Sequence, residues 1–325
     1  MPQTLCLVRS FTHLPSVMNP PSVSSRRNFL KVAGSALGLA ALGRTSSTGA
    51  AEAAPGIRLG RTVPRRFVID CHMHFQARPQ YFNGMMVAYQ NKNMMACVNA
   101  WRKDYPAVLQ GVKDHPETII PFGRLAVDDP NVMDDLNYFA ANGCRGIKLR
   151  DPRYNWDDER YFPIYEQIDR RGWPLLFHTG IAGIGTLGFA RMRPEYLLTI
   201  AAKFTKLQII GAHFGNPWYD AAAEVARWCP NVHFDITGST LIKKAGNLKS
   251  LKEYLWWEGP TMHSDPNAVP AFEKIVFGTD EPPENVENML TRYEDMFDAC
   301  MVPEEIRRKV FGLTMAKILG IPVRA

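Results

Sequence analysis

Two histidines, His72 and His74, stand one residue apart at the end of an apolar run, "RRFVIDCHMH". Side chains two apart on a β-strand point to the same face. A strand here would present both imidazoles together, with Asp70 on the same row one layer deeper. Cys71 and Met73 would point the other way, into packing. Other apolar runs end in comparable groups: "WPLLFH" in His178, "LQIIGAH" in His213 and "KIVFGTD" in Asp280, while "CRGIKL" carries Lys148. Two neutral imidazoles, a third from another strand and one carboxylate make a nitrogen and oxygen donor set suited to zinc, with a position left open for water. One strand-end histidine would be an ordinary core residue. Four of the seven histidines that follow residue 51 fall in this set, and chance would scatter them.

The elements that must hold these groups alternate along residues 65–322. Strands are expected at 67–74, 119–127, 144–149, 174–178, 207–213, 231–236 and 274–279, with a weaker one at 94–98. Helices are expected at 132–142, 161–171, 194–204, 219–228, 248–256, 286–299 and 303–319. Alternating strand and helix signals argue for a parallel sheet with helices outside. Eight strands over this length fit an α/β fold of the (β/α)8 TIM-barrel type, about 250 residues in a single domain. The carboxyl ends of all barrel strands open at one rim, where such barrels carry their sites, so the metal site is expected there. A doubly wound sheet is the competing architecture. It would place a glycine-rich phosphate turn after the first strand, and none follows. "GIAGIGTLG" (180–188) comes after His178 and reads as a loop over the site. Residues 76–100, rich in Met and Asn, show no clear period and read as an insertion or a loop with a short helix.

The composition is that of an ordinary globular chain: 325 residues, 46% hydrophobic, 22% charged and 11% aromatic. The net charge of +6 is uneven. Residues 1–51 hold Arg9, Arg26, Arg27, Lys31 and Arg44 and no acidic residue, whereas the remainder is almost balanced, with 33 basic and 32 acidic residues. A nucleic-acid binder would be basic in its folded part, so nucleic acid is not an expected partner.

The early basic residues fit an export leader. "SSRRNFLK" precedes the apolar run "VAGSALGLAALG", and a stretch of small residues follows to Ala54. This order of basic, apolar and small-residue regions is that of a secretory signal, and the apolar run is too short to span a bilayer. The paired arginines before Asn, Phe, Leu and Lys resemble the twin-arginine export signal. That resemblance implies residues 1–54 as leader and cleavage region, with Met18 as an alternative start. It also implies the twin-arginine export machinery as a partner and a periplasmic or secreted location. Residues 55–325 would be the mature barrel. Cys71, Cys97, Cys144, Cys229 and Cys300 form no CxxC pair and are odd in number, so they read as small buried apolar residues rather than a disulfide framework.

The ordered set "IDCHMHF", "GIKL", "LLFHTG", "IIGAHFG", "NVHFDITG" and "IVFGTDEPP" resembles the amidohydrolase superfamily. More narrowly it resembles the amidohydrolase-related group that includes aminocarboxymuconate semialdehyde decarboxylase. "KDHPETIIPFGRLAV" matches the third-strand region of that group, and the resemblance covers about residues 67–320. It implies one divalent metal, zinc first, held by His72, His74, His178 and Asp280. It implies His213 and Asp280 as the catalytic acid/base groups acting on a metal-activated water. Lys148 is the ambiguous residue: substrate-facing, or carboxylated and bridging a second metal, or a structural ion pair.

Arg124, Arg150 and Trp218, which follow or end strands, are candidate grips on an anionic or aromatic small-molecule substrate, with rim packing as the plainer alternative. Asp235 would orient a ligand histidine from the seventh strand. His115 reads as structural, and His263 lies in a loop that could cover the pocket. The expected activity is hydrolysis of a C–O or C–N bond of a lactone, amide or ester. The alternative is non-oxidative decarboxylation of an aromatic or enoic acid, and a third reading is a non-enzymatic metal or ligand binder. A homo-oligomer is compatible with the sequence.

Overall fold

The computed structural model describes residues 62–89, 92–182, 188–243, 250–255 and 271–324. The leader, His263 and the centre of the glycine-rich loop lie outside these residues. The described residues belong to one compact unit.

Seven strands line up in sequence order in one sheet: β1 Val68–His74, β2 Met94–Ala100, β3 Ile119–Leu125, β4 Ile147–Leu149, β5 Leu175–Phe177, β6 Ile209–Gly211 and β7 Val232–Phe234. Every neighbouring pair is parallel. Helices cross between them: α1 Tyr81–Tyr89, α2 Tyr105–Asp114, α3 Val132–Ala141, α4 Phe162–Arg170, α5 Tyr196–Lys203 and α6 Tyr219–Trp228. After the last strand come α7 Thr240–Lys243, α8 Ser250–Leu255, α9 Val286–Cys300, α10 Glu304–Arg308 and α11 Thr314–Leu319.

The outer packing follows from helix period. In α6, Tyr219, Ala222, Ala223, Val225 and Ala226 are buried, one stripe at helical spacing, with Asp220 in the first turn and Arg227 in the last to suit the helix dipole. That stripe joins a cluster with Val232 and Phe234 of β7. The opposite strand face builds a second cluster from alternate residues: Ile69 and Cys71, Met95 and Cys97, Ile120 and Phe122, then Leu176, Ile210 and Val276. Met315, Ala316 and Leu319 of α11 close this inner cluster near the beginning of β1.

Four expectations need correction. Of the readings of residues 76–100, the insertion is overturned, while the short helix is present as α1 and the weak strand at 94–98 is the seven-residue β2, whose face alternates Ala96, Val98 and Ala100 outward. The helix α2 was not anticipated. The expected strand at 274–279 makes a single parallel bridge, Ile275 to Phe234. The segment still donates Val276 N–H to Phe234 O (2.9 Å) and Asp280 N–H to His72 O (2.8 Å), and accepts Cys71 N–H at Phe277 O (2.9 Å). It therefore hydrogen-bonds to both ends of the seven-stranded sheet. The expected helix 303–319 is interrupted by a π-helical turn, Lys309–Leu313, between α10 and α11.

The fourth correction concerns β1. Its pairing with β2 slips between Asp70, opposite Ala96, and Met73, opposite Val98. Such a bulge re-aims side chains. Cys71 consequently lies in the inner cluster rather than against the helices. Asp70 turns away from the histidine row and takes donors from Tyr89 Oη (2.6 Å), Thr279 Oγ1 (2.7 Å), His72 N (2.9 Å) and Thr279 N (3.1 Å). Met73 does pack outward as expected.

Candidate active site

The strand ends bring four of the sequence-selected groups into contact. His72 Nε2 lies 3.1 Å from His74 Nε2. Asp280 Oδ1 lies 3.2 Å from His74 Nε2 and 3.6 Å from His72 Nε2. Asp280 Oδ2 is 4.0 Å from His213 Nε2. His72 is 1% exposed along its side chain, while His74 and Asp280 are 26% and 28% exposed, so the cluster opens on one side.

The hydrogen bonds set the ring tautomers. His72 Nδ1 faces Asp235 Oδ2 at 2.9 Å. Burial alone would raise the Asp235 carboxyl, but His72, His213 and the Thr237 hydroxyl together hold it below the usual carboxylate range. An ionised Asp235 can only accept, so the Nδ1 proton stays on His72 and its Nε2 lone pair points into the cluster. His213 Nδ1 is 2.8 Å from Thr237 O, again an acceptor. His213 Nε2 is therefore free to accept from His178 Nδ1 at 3.2 Å. That leaves His178 Nε2 without its proton, and it has no hydrogen-bond partner although buried. Burial pushes His74 and His213 down to about 4 and His178 well below its usual value, so all three are neutral near pH 7. Asp280 stays ionised: burial would raise it, and His72, His74 and His213 outweigh that.

This donor set fits a divalent ion. Zinc bonds of about 2.0–2.1 Å place tetrahedral ligand atoms roughly 3.3–3.4 Å apart. The separations among His72, His74 and Asp280 bracket that value. The two Nε2 atoms and the Asp280 oxygen thus stand at the spacing of ligand atoms around one ion. His178 stands beside His213 rather than inside this tightest group, and its bare Nε2 is the further nitrogen on offer.

Backbone strain concentrates here. His213 (φ 64°), Phe214 (φ 47°) and Asp280 (φ 50°) are left-handed non-glycine residues, a conformation that persists only where the surroundings impose it. His213 N–H and Thr237 N–H both bond Asp235 Oδ1, at 2.9 and 3.0 Å. Gly180 has φ 83°, and a Cβ there would meet Asn216 O at 2.1 Å, so only glycine lets the loop after β5 lie on the loop after β6.

A sequence-family model described as amidohydrolase matches residues 69–321, the strand ends above included. The chain belongs to the amidohydrolase family. Its members are metal-dependent enzymes, hydrolases and decarboxylases among them. A search of curated proteins finds no match to the chain.

Solved structures show the same TIM-barrel-like fold at low identity. An uncharacterised TIM-barrel protein of Bordetella bronchiseptica is 15% identical, with a TM-score of 0.57, covering 78% of this chain and 98% of its own. The 2,6-dihydroxybenzoate decarboxylase of Rhizobium is 14% identical at 0.53, with 78% and 99% covered. The dihydroorotase of Campylobacter jejuni is 16% identical at 0.51, with 80% and 85% covered.

The remaining sequence-selected residues of this amidohydrolase divide. Lys148 is fully buried on the inward row of β4, its Nζ has no hydrogen-bond partner, and burial lowers its pKa to about 8. Arg124, its register partner on β3, reaches His74 Nδ1 at 3.4 Å and lies over Trp101 at 4.4 Å. Arg150 pairs with Asp151 at 2.7 Å. Trp218 stacks on Phe189 at 5.8 Å beneath Arg193. His233 is buried one layer below Asp235 and has no partner at Nδ1.

Sequence reasoning missed Thr237. Its hydroxyl donates to Asp235 Oδ1 at 2.6 Å and lies 3.0 Å from His213 Nδ1. The signal was present in "HFDITG", where Thr237 follows Asp235 by two. Tyr89 and Thr279, which hold Asp70, carried no comparable signal, because their link to β1 exists only through the bulge.

Proposed function

We propose that this amidohydrolase is a hydrolase that cleaves a C–O or C–N bond of a small lactone, amide or ester. The observation that carries the reading is Asp280, whose two oxygens face the His72–His74 pair on one side and His213 on the other. His72, His74 and Asp280 would hold one zinc ion, with His178 Nε2 as the fourth protein ligand. A divalent ion there supplies Lewis-acid polarisation of a carbonyl and a water acidic enough to react near neutral pH.

The chain's own residues supply the proton path. Asp280 Oδ2 accepts the proton of the attacking water. His213, neutral and oriented by Thr237 O, exchanges that proton at Nε2 and delivers it to the departing oxygen or nitrogen. Water oxygen bonds to the carbonyl carbon as the C–O or C–N bond breaks, so the products are a carboxylic acid and an alcohol or amine. Asp235 and Thr237 hold both imidazoles in the tautomers this requires.

His213 also supports a second reading. The same Nε2 can deliver a proton to carbon, as loss of CO2 from an aromatic or enoic acid demands. A panel of lactones, amides, esters and hydroxybenzoates, presented to zinc-loaded protein, separates the two. Acid release from the lactones, amides and esters, carboxylate-bearing ones included, supports hydrolysis; CO2 release from the hydroxybenzoates with none of the former overturns it. Segment 275–280, bonded to β7 and β1, would serve as the eighth strand of a closed barrel, with the metal site at its carboxyl rim.

The leader reading stands independently on residues 24–54. We propose export through the twin-arginine pathway to the periplasm. Replacing Arg26 and Arg27 with lysine should retain the protein in the cytoplasm, and unchanged export would overturn it.

A further inference from the structure

Arg124 and Lys148 are register partners on β3 and β4 and project from the same inward row. Lys148 is fully buried, and its ammonium has no hydrogen-bond partner. Arg124 is half-buried; its Nε is also unpartnered, and its polar contact is the neutral ring of His74 at 3.4 Å. Among the described residues, no carboxylate lies within ion-pair distance of either group. Arg150 follows Lys148 by two residues and adds a third positive charge, shared with Asp151. A bound divalent ion would add two more, facing Asp235 and Asp280 from the protein side.

Burying cations without counter-charges is unfavourable unless something else brings the negative charge. Other buried or partly buried cations have partners: Arg66 and Arg307 are both satisfied by Glu294, and Lys274 donates to Pro230 O. Lys148 has no partner of either kind, and with Arg124 it borders the reacting cluster through His74. A guanidinium fork and an adjacent ammonium match the two oxygens of a carboxylate. Trp101, packed against Arg124, holds the guanidinium plane in place.

We infer that Arg124 and Lys148 form a carboxylate subsite, and that the substrate is a small organic acid anchored there with its reacting bond turned toward His72, His74 and Asp280. The inference rests on the active-site reading above and adds the charge and size of the substrate. Because Arg124 touches His74, the anchored carboxylate and the reacting carbon lie within one small molecule. In this geometry the anchoring carboxylate is retained through the reaction, and the bond that breaks is elsewhere in the substrate.

The test is calorimetric binding of benzoate and glutarate, each against its neutral amide, to the zinc-loaded full chain. The acids are expected to bind at least tenfold more tightly than benzamide and glutaramide. Lys148→Met and Arg124→Met should each remove at least tenfold of that preference while zinc stoichiometry and amide binding stay unchanged, and Arg124→Lys should restore part of it. If either methionine variant fails to fold, Lys148→Gln and Arg124→Gln take its place. Equal binding of acid and amide in the native protein overturns the inference. So does a preference that survives both substitutions, since the carboxylate would then sit on the ion alone. Binding is read without turnover, so a failed hydrolysis panel would sink the proposed reaction and leave this result standing.

Discussion

His72 Nδ1 and Asp235 Oδ2 lie 2.9 Å apart across 163 residues of chain. That one contact joins β1 to the end of β7 and decides which nitrogen of His72 faces the cluster. An acceptor behind a ligating imidazole raises its basicity and fixes its orientation. Asp235→Asn presents an amide that can rotate its NH2 toward Nδ1 and favour the wrong tautomer. Zinc affinity should fall by about 10- to 100-fold, read by competition with a chromophoric chelator. Unchanged affinity in a folded variant would refute the tautomer argument.

The ligand assignment predicts unequal losses. His72→Ala and Asp280→Ala should each abolish stoichiometric zinc, because both belong to the group whose atoms lie 3.1–3.6 Å apart. His178→Ala should also weaken binding if its bare Nε2 is the fourth nitrogen. Metal analysis after dialysis decides this. Full zinc retention in a His72→Ala, His178→Ala double variant would sink the assignment.

Asp70 tests the bulge rather than the chemistry. Its carboxylate is buried and receives four donors. Burial raises its pKa against them, so each donor matters to keeping it charged. Tyr89→Phe removes one donor and should destabilise folding by about 1–3 kcal/mol, measured by denaturant unfolding. Zinc stoichiometry should be unaffected, since Asp70 faces away from the ligand row.

Acid should weaken the metal-free protein. Burial holds His74 and His213 near 4 and His233 near 3, whereas unfolded histidine titrates near 6.5. Between those values the unfolded chain binds more protons than the folded one. Stability is therefore fully present above about pH 6.5 and is lost as pH falls from there toward 4, by about 1.4 kcal/mol per pH unit for each such histidine. Melting temperatures at pH 7, 6 and 5 read this directly. A flat profile would show that these rings are already protonated or already solvated in the folded state.

Gly180 offers a test of the braced loops. With φ 83° and Asn216 O at 2.1 Å from any added Cβ, Gly180→Ala must displace the loop after β5. Stability should fall by more than the ~1 kcal/mol ordinarily set by glycine's conformational freedom alone, with the same unfolding assay as the check.

Much of this molecule can be read along the chain, because a strand's two-residue period and a helix's 3.6-residue period are local properties. The apolar runs ending in His72, His74, His178, His213 and Asp280 announced a shared site, and α6 at Tyr219–Trp228 followed from its stripe. The donor chemistry, nitrogen and oxygen for a divalent ion, needs only residue types. What the chain alone could not supply was direction. A bulge at Asp70 swapped the facing of Asp70 and Cys71, since one extra residue reverses the side on which a side chain falls. The left-handed turns at His213 and Asp280 aim those groups by backbone conformations that no period predicts. The sequence pointed to Asp235 as the partner of a ligand histidine, but only the fold chose His72 and added Thr237, and Lys148 became a buried cation without a hydrogen-bond partner only when no acidic residue folded within ion-pair distance. Those are non-local facts, set by which distant residues share a low-dielectric interior, and there a single proton or charge decides what the site can bind.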